Sequence, residues 1–185
     1  MEVLKAPKSK IALAGLMLAL IYNSASGQTS REFQIKAVFL FNFAEFTEWP
    51  ADAFASKDAP MFIGVLGTDP FGSVLDETVR NEAVRGHRLV VQRYQKVEEI
   101  QNCHILYISQ SEASELDHVL EFLKGKPVLT VSDIEGSAPR GVMIRFVTEK
   151  NKIRLRINLE TARAANLTLS SKVLRAAEIV STTTK

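Results

Sequence analysis

Four short apolar runs, separated by segments with helical spacing, set the architectures open to this chain. Met61 to Leu66, Arg88 to Tyr94, Cys103 to Ser109 and Val128 to Val131 are each four to seven residues long. They are too apolar for strands with one face in water. Runs of this kind are strands buried on both faces, and such strands build a largely parallel sheet covered by helices on each side. The intervening helices announce themselves by their caps. Asp69 at the N-cap with Pro70 at the first helical position opens a helix to about Arg80. Ser109 or Ser111 caps another that reaches Lys124 and stops at Gly125. Past Gly136 the period changes to two. Val142, Ile144 and Phe146 alternate with polar residues, as do Ile153, Leu155 and Ile157 with Lys152, Arg154 and Arg156, across a turn signal at Glu149-Lys150-Asn151. That is an antiparallel hairpin with one wet face. A helix from Leu159 to Ala165, with Asn166 in the left-handed position after it, precedes a Ser170-capped helix running to about Val180. The fold class expected is a single α/β domain: a mixed, mostly parallel sheet flanked by helices, with a C-terminal antiparallel hairpin.

The N-terminus reads as a targeting signal. Lys5, Lys8 and Lys10 precede the uncharged apolar run from Ile11 to Tyr22, which at about 12 residues is shorter than the roughly 20 needed to span a bilayer. Ala25 and Gly27 suit the −3 and −1 positions of a cleavage site, so residues 1–27 are expected to be a signal peptide and 28–185 the mature domain, beginning at Gln28. An uncleaved membrane anchor is the other reading. Of 23 basic and 21 acidic residues, the signal holds three lysines and one glutamate, which leaves 20 of each sign in the mature domain. No excess of positive charge is left to hold nucleic acid. Cys103, alone in the chain, has no partner for an internal disulfide.

Thr29 and Glu32 fit a capping box that opens a helix ending near Glu48, before Trp49-Pro50. This helix is apolar most of the way round, as expected of a segment buried on more than one side. Phe39, Phe43, Phe46 and Trp49 recur every three to four residues and are the candidates for a partner-binding surface, with Ile35, Val38, Leu40 and Phe41 left to fill the core. The alternative is that every aromatic there is core.

Little points to catalysis. His87, His104 and His118 share no metal-ligand spacing, no Gly-x-Ser-x-Gly elbow occurs, and Gly64-Val65-Leu66-Gly67 falls short of a phosphate-binding fingerprint. No catalytic residue, metal ligand or cofactor is assigned, and the chain reads as a binding or regulatory protein rather than an enzyme. A possible ligand pocket lies where polar pairs follow expected parallel strands: Thr68 and Asp69, Ser109 and Gln110, Ser132 and Asp133. Ligands of open α/β sheets bind at those carboxyl ends. The same residues also serve as ordinary caps and turn formers.

The segment Lys36-Ala-Val-Phe-Leu-Phe-Asn-Phe-Ala-Glu-Phe-Thr-Glu-Trp-Pro50 resembles the opening helix of the YfiR-like family. His104-Ile-Leu-Tyr-Ile-Ser109, Ile157-Asn158-Leu159 and the stretch from Ala162 to Leu174 resemble later parts of it in the same order. The resemblance implies a periplasmic regulator that restrains an inner-membrane diguanylate cyclase by contact with its periplasmic part. It also implies relief by an outer-membrane lipoprotein, and a homodimer. Better-known members carry cysteine pairs that form disulfides, and here Cys103 stands alone. Other members of such a family serve other membrane sensors, including histidine kinases. A small-molecule-binding periplasmic module acting with a sensor kinase or transporter remains the second reading.

Overall fold

A computed structural model describes residues 31–183. The expected signal peptide, the cleavage site and the Thr29 cap lie outside them. The described residues open with helix α1 over 31–46, pass through the short strand β1 (Thr47–Glu48), and enter the sheet at β2 (Met61–Leu66). There follow α2 (Ser73–Val79), β3 (Ala83–Val84), β4 (His87–Tyr94), β5 (Ile105–Ile108), α3 (Leu116–Leu123), β6 (Leu129–Ser132) and α4 (Ser137–Arg140). The hairpin of β7 (Ile144–Glu149) and β8 (Lys152–Asn158) leads to α5 (Leu159–Ala164), β9 (Thr168–Leu169), α6 (Ser171–Arg175) and β10 (Ala177–Val180).

Eight strands form one sheet in the order β10-β8-β7-β6-β5-β2-β4-β3. Its centre is parallel, from β4 through β2, β5 and β6 to β7. The β7–β8 pair is antiparallel, in register from Ile144 opposite Ile157 to Glu149 opposite Lys152. Lys150 and Asn151, at φ 49° and 60°, make its two-residue turn, the double left-handed geometry that matches strand twist. The mixed, mostly parallel sheet with a C-terminal hairpin is the fold the sequence implies.

Alternation along each strand divides two apolar layers. Ile63, Val65, Ile105, Tyr107, Leu129 and Val131 face the larger one, with α1, α2 and the α5–α6 region packed over them. Leu66, Leu106 and Ile108 face the other, closed by Leu116, Val119 and Leu123 of α3. Gly64 is needed on this second face. A Cβ there would lie 2.8–2.9 Å from the Tyr94 ring, Cys103 Sγ and a Leu106 methyl, so the close approach leaves no room for a side chain.

Three expectations are corrected. The helix after β2 starts at Ser73 rather than Pro70, because Asp69 Oδ1 accepts from Phe71 N–H at 2.7 Å in a local turn and Gly72 takes φ 54° before the helix begins. The segment after β5 makes a single 3-10 turn at Gln110–Glu112 before α3. The terminal helix ends at Arg175, and 177–180 joins the sheet as β10, parallel to β8. β-Branched Ile179 and Val180 suit that strand, and pairing with an open edge outweighs the weak helical pattern of so short a segment. Asn166 does take the left-handed conformation after α5, at φ 57°.

Candidate protein-interaction surface

The inward stripe of α1 is Lys36, Ala37, Leu40, Phe43 and Ala44, all buried. Phe43 is only 1% exposed and stacks on Phe146 of β7, with ring centroids 5.9 Å apart. Phe39 leans on both of those rings at 6.0 and 5.8 Å. Lys36 is 2% exposed, and its ammonium meets Glu32 at 2.7 Å and Asp133 at 2.8 Å while lying 4.6 Å from the Phe33 ring centroid. A buried cation needs such partners. Asp133, at the carboxyl end of β6, therefore fixes which side of α1 faces the sheet.

That rotation reverses part of the assignment made from periodicity. Phe43, a candidate for the partner-binding surface, is core. Ile35 and Val38, expected in the core, are 42% and 49% exposed on the outer side of the helix. Phe39, Phe46 and Trp49 are half-buried and packed against the apolar layer, as are Phe33 and Phe41. Lys172 of α6 sits over the Phe46 ring at 5.0 Å, and Trp49 Nε1–H donates to the His104 carbonyl at 3.3 Å. The end of α1 is tied down by β1, which pairs antiparallel with β9, and by Ser170 N–H donating to the Phe46 carbonyl at 2.9 Å. The outer surface of α1 thus carries two exposed apolar side chains, Ile35 and Val38, alongside the exposed Arg31, Gln34 and Glu45, on a firmly seated helix. Sequence reasoning missed Ile35 and Val38 because two apolar stripes competed. The signal that separates them is Lys36, which shares a helical face with Leu40 and Phe43 and finds an acid inside.

The polar residues at the strand ends do converge, since β2, β5 and β6 are adjacent and parallel. Their groups bond mostly within the chain. Asp69 Oδ2 accepts from Arg93 Nε at 2.7 Å, and Arg93 also bridges to Asp76 at 2.5 Å, which holds the Asp76 carboxyl below its ordinary range. Ser132 Oγ donates to the Ile108 carbonyl at 2.8 Å and accepts from Ile134 N–H at 3.1 Å. Gln110 Nε2 donates to the Asp133 carbonyl at 3.0 Å, and Thr68 N–H donates to Ser111 Oγ at 3.0 Å. Ser109 is buried, with its N–H bonded to the Leu66 carbonyl at 3.1 Å. Lys36 of α1 reaches into this end of the sheet. Beside it the buried Tyr107 hydroxyl is pushed up in pKa, first by burial and then by the Asp133 charge.

At the opposite end of the sheet, Phe54 lies between two imidazoles, 3.8 Å from His87 and 4.4 Å from His104. His104 accepts from Phe62 N–H at Nδ1 and donates from Nε2 to the Ala53 carbonyl, both at 3.1 Å. Burial lowers its pKa to about 4, so it is a neutral structural group at neutral pH. Cys103 is buried too, and its thiol is pushed up to about 12 by burial, the reverse of what a reactive thiolate requires. No group of three or more His, Cys, Asp or Glu among the described residues is placed to hold a metal ion.

The sequence profile of the YfiR/HmsC-like family matches residues 33–178, nearly the whole of the described chain. The chain belongs to this family. Comparison with curated proteins gives no match. The YfiR/HmsC-like proteins are regulatory rather than catalytic.

Proposed function

We propose that the protein is a periplasmic regulator that restrains an inner-membrane signalling protein, a diguanylate cyclase, through the outer face of α1. The observation that carries this reading is the pair Ile35 and Val38. Two of the three large apolar side chains left exposed among the described residues sit one turn apart on a helix otherwise anchored by Lys36 and Phe43. Contiguous exposed apolar surface marks interaction sites, and their centres are poor in charge. Phe39, next to Val38, and Phe46 and Trp49, further along and just past the same helix, are half-buried aromatics that add contact area in this reading. Family membership supplies the class of partner. A homodimer and release by an outer-membrane lipoprotein belong to the same proposal.

The reading requires export, with cleavage after Gly27. Mass spectrometry of a periplasmic extract is expected to find a mature chain starting near Gln28, and recovery of the full-length chain only in membranes contradicts it. Deletion of the gene is expected to raise cellular cyclic di-GMP. An unaltered level removes the cyclase from the proposal and leaves another membrane sensor, such as a histidine kinase, in its place. The small-molecule reading, at Thr68, Asp69, Ser109, Gln110, Ser132 and Asp133, is the weaker one, because so many of those polar groups already bond within the chain.

A further inference from the structure

The eight-stranded sheet ends at β10, and no strand among the described residues pairs with its outer edge. Proteins blunt such edges with lysine, proline, bulges or a covering segment. β10 has none of these within Ala177–Val180. Its one charge, Glu178, is taken by Arg156 Nε at 3.0 Å, and Ile179 is 52% exposed. Beside the start of β10 runs a groove of about 430 Å³ lined by Glu149, Arg154, Arg156, Arg175, Ala177 and Glu178 among others. Arg154 and Arg175 make no ion pair or hydrogen bond within the described residues. An open backbone edge therefore lies against two guanidinium groups that have no ion-pair partner among the described residues, with Glu149 the one acid of the groove left outside the Arg156–Glu178 pair.

We propose that this edge docks an extended acidic segment of a protein partner as a ninth strand. Its backbone bonds to Ala177–Val180 and its carboxylates meet Arg154 and Arg175 in the groove. The alternating donors and acceptors of an open strand are matched by another backbone, and planar guanidinium groups suit carboxylates. A second copy of this chain fits poorly. Paired antiparallel, it lays Val180 and the following Ser181-Thr182-Thr183 opposite the groove, with no carboxylate; paired parallel, it brings its own arginines. This contact lies on the sheet edge, does not depend on the α1 surface, and stands or falls separately from it.

The probe is a fluorescein-labelled eight-residue peptide alternating valine and glutamate, titrated by anisotropy against the mature protein, with a lysine-for-glutamate peptide as control. Saturable binding of the acidic peptide alone is expected, weakened about tenfold or more by R154E/R175E and by raised salt. Ile179→Pro is expected to weaken it by breaking the regular backbone edge of β10, and thermal midpoints report whether each variant is folded. If Ile179→Pro unfolds, the arginine reversal decides, since those side chains are solvated. No binding of the acidic peptide, equal binding of the lysine peptide, or indifference to R154E/R175E overturns the proposal. So does an edge occupied by a second copy, seen as a dimer in solution that Ile179→Lys converts to a monomer.

Discussion

Lys36 shows how one residue orients an element. Its ammonium sits between Glu32 and Asp133 with almost no access to water. Breaking a buried pair from one side leaves a carboxylate uncompensated, which costs more than the pair contributes as a whole. Lys36→Met is therefore expected to lower stability by about 3 kcal/mol or more in urea denaturation, and adding Asp133→Asn is expected to recover part of the loss. A loss below about 1 kcal/mol shows that α1 is held by its apolar stripe alone. His104 makes a pH-dependent contribution. A histidine held below its ordinary value of 6.5 contributes stability that is complete above that pH and is lost as pH falls toward about 4. Across that window the wild type is expected to lose on the order of 2 kcal/mol more than His104→Gln, the Born cost being moderated by partial solvation. Parallel urea midpoints at pH 7 and pH 5 for the two proteins contradict this.

At the scale of elements, the parts of the fold readable in sequence were those in which local chemistry and tertiary role agree. Met61–Leu66 is apolar because both its faces are covered, and Lys150-Asn151 turns left-handed because a two-residue hairpin demands it. What was not readable depended on partners distant in sequence. Ala177–Val180 is a strand because β8 offers it an edge, whereas its own residues allow a helix. The two-residue strands β1, β3 and β9 exist only as halves of pairs, and none carries a pattern long enough to recognise. In α1 the sequence gives an apolar helix but not its rotation. The stripe containing Phe43 and the stripe containing Ile35 and Val38 have equal periodicity, and Asp133, 97 residues from Lys36, decides between them. The candidate site was thus legible as a helix and as a set of aromatics, and its outermost side chains were not. Phe43→Ser is accordingly expected to cost about 3–5 kcal/mol by leaving a cavity beside Phe146, read as a large fall in thermal midpoint. A Phe43→Ser variant with an unchanged midpoint shows that α1 is seated the other way round.

The whole molecule is a sheet with both faces closed by its own helices, a polar network across the ends of β2, β5 and β6, and a histidine–aromatic stack at the other end. Cys103 and His104 are held neutral by burial, and among the strand-end groups Asp69 is taken by Arg93, Asp133 by Lys36, and Ser132 and Gln110 by backbone groups. What it presents outward is surface. The central claim is that the outer face of α1 contacts a membrane signalling protein and restrains it. The direct test is cellular cyclic di-GMP in a strain whose only copy carries Ile35→Glu and Val38→Glu, beside wild type and a deletion, with the thermal midpoint of the purified variant. Both positions are exposed, so the fold is expected to change by no more than about 0.5 kcal/mol per site, while two charges in an apolar contact disrupt binding. The expected result is cyclic di-GMP raised toward the deletion level with the midpoint unchanged. A folded double variant that keeps cyclic di-GMP at the wild-type level, in a background where deletion raises it, contradicts the account.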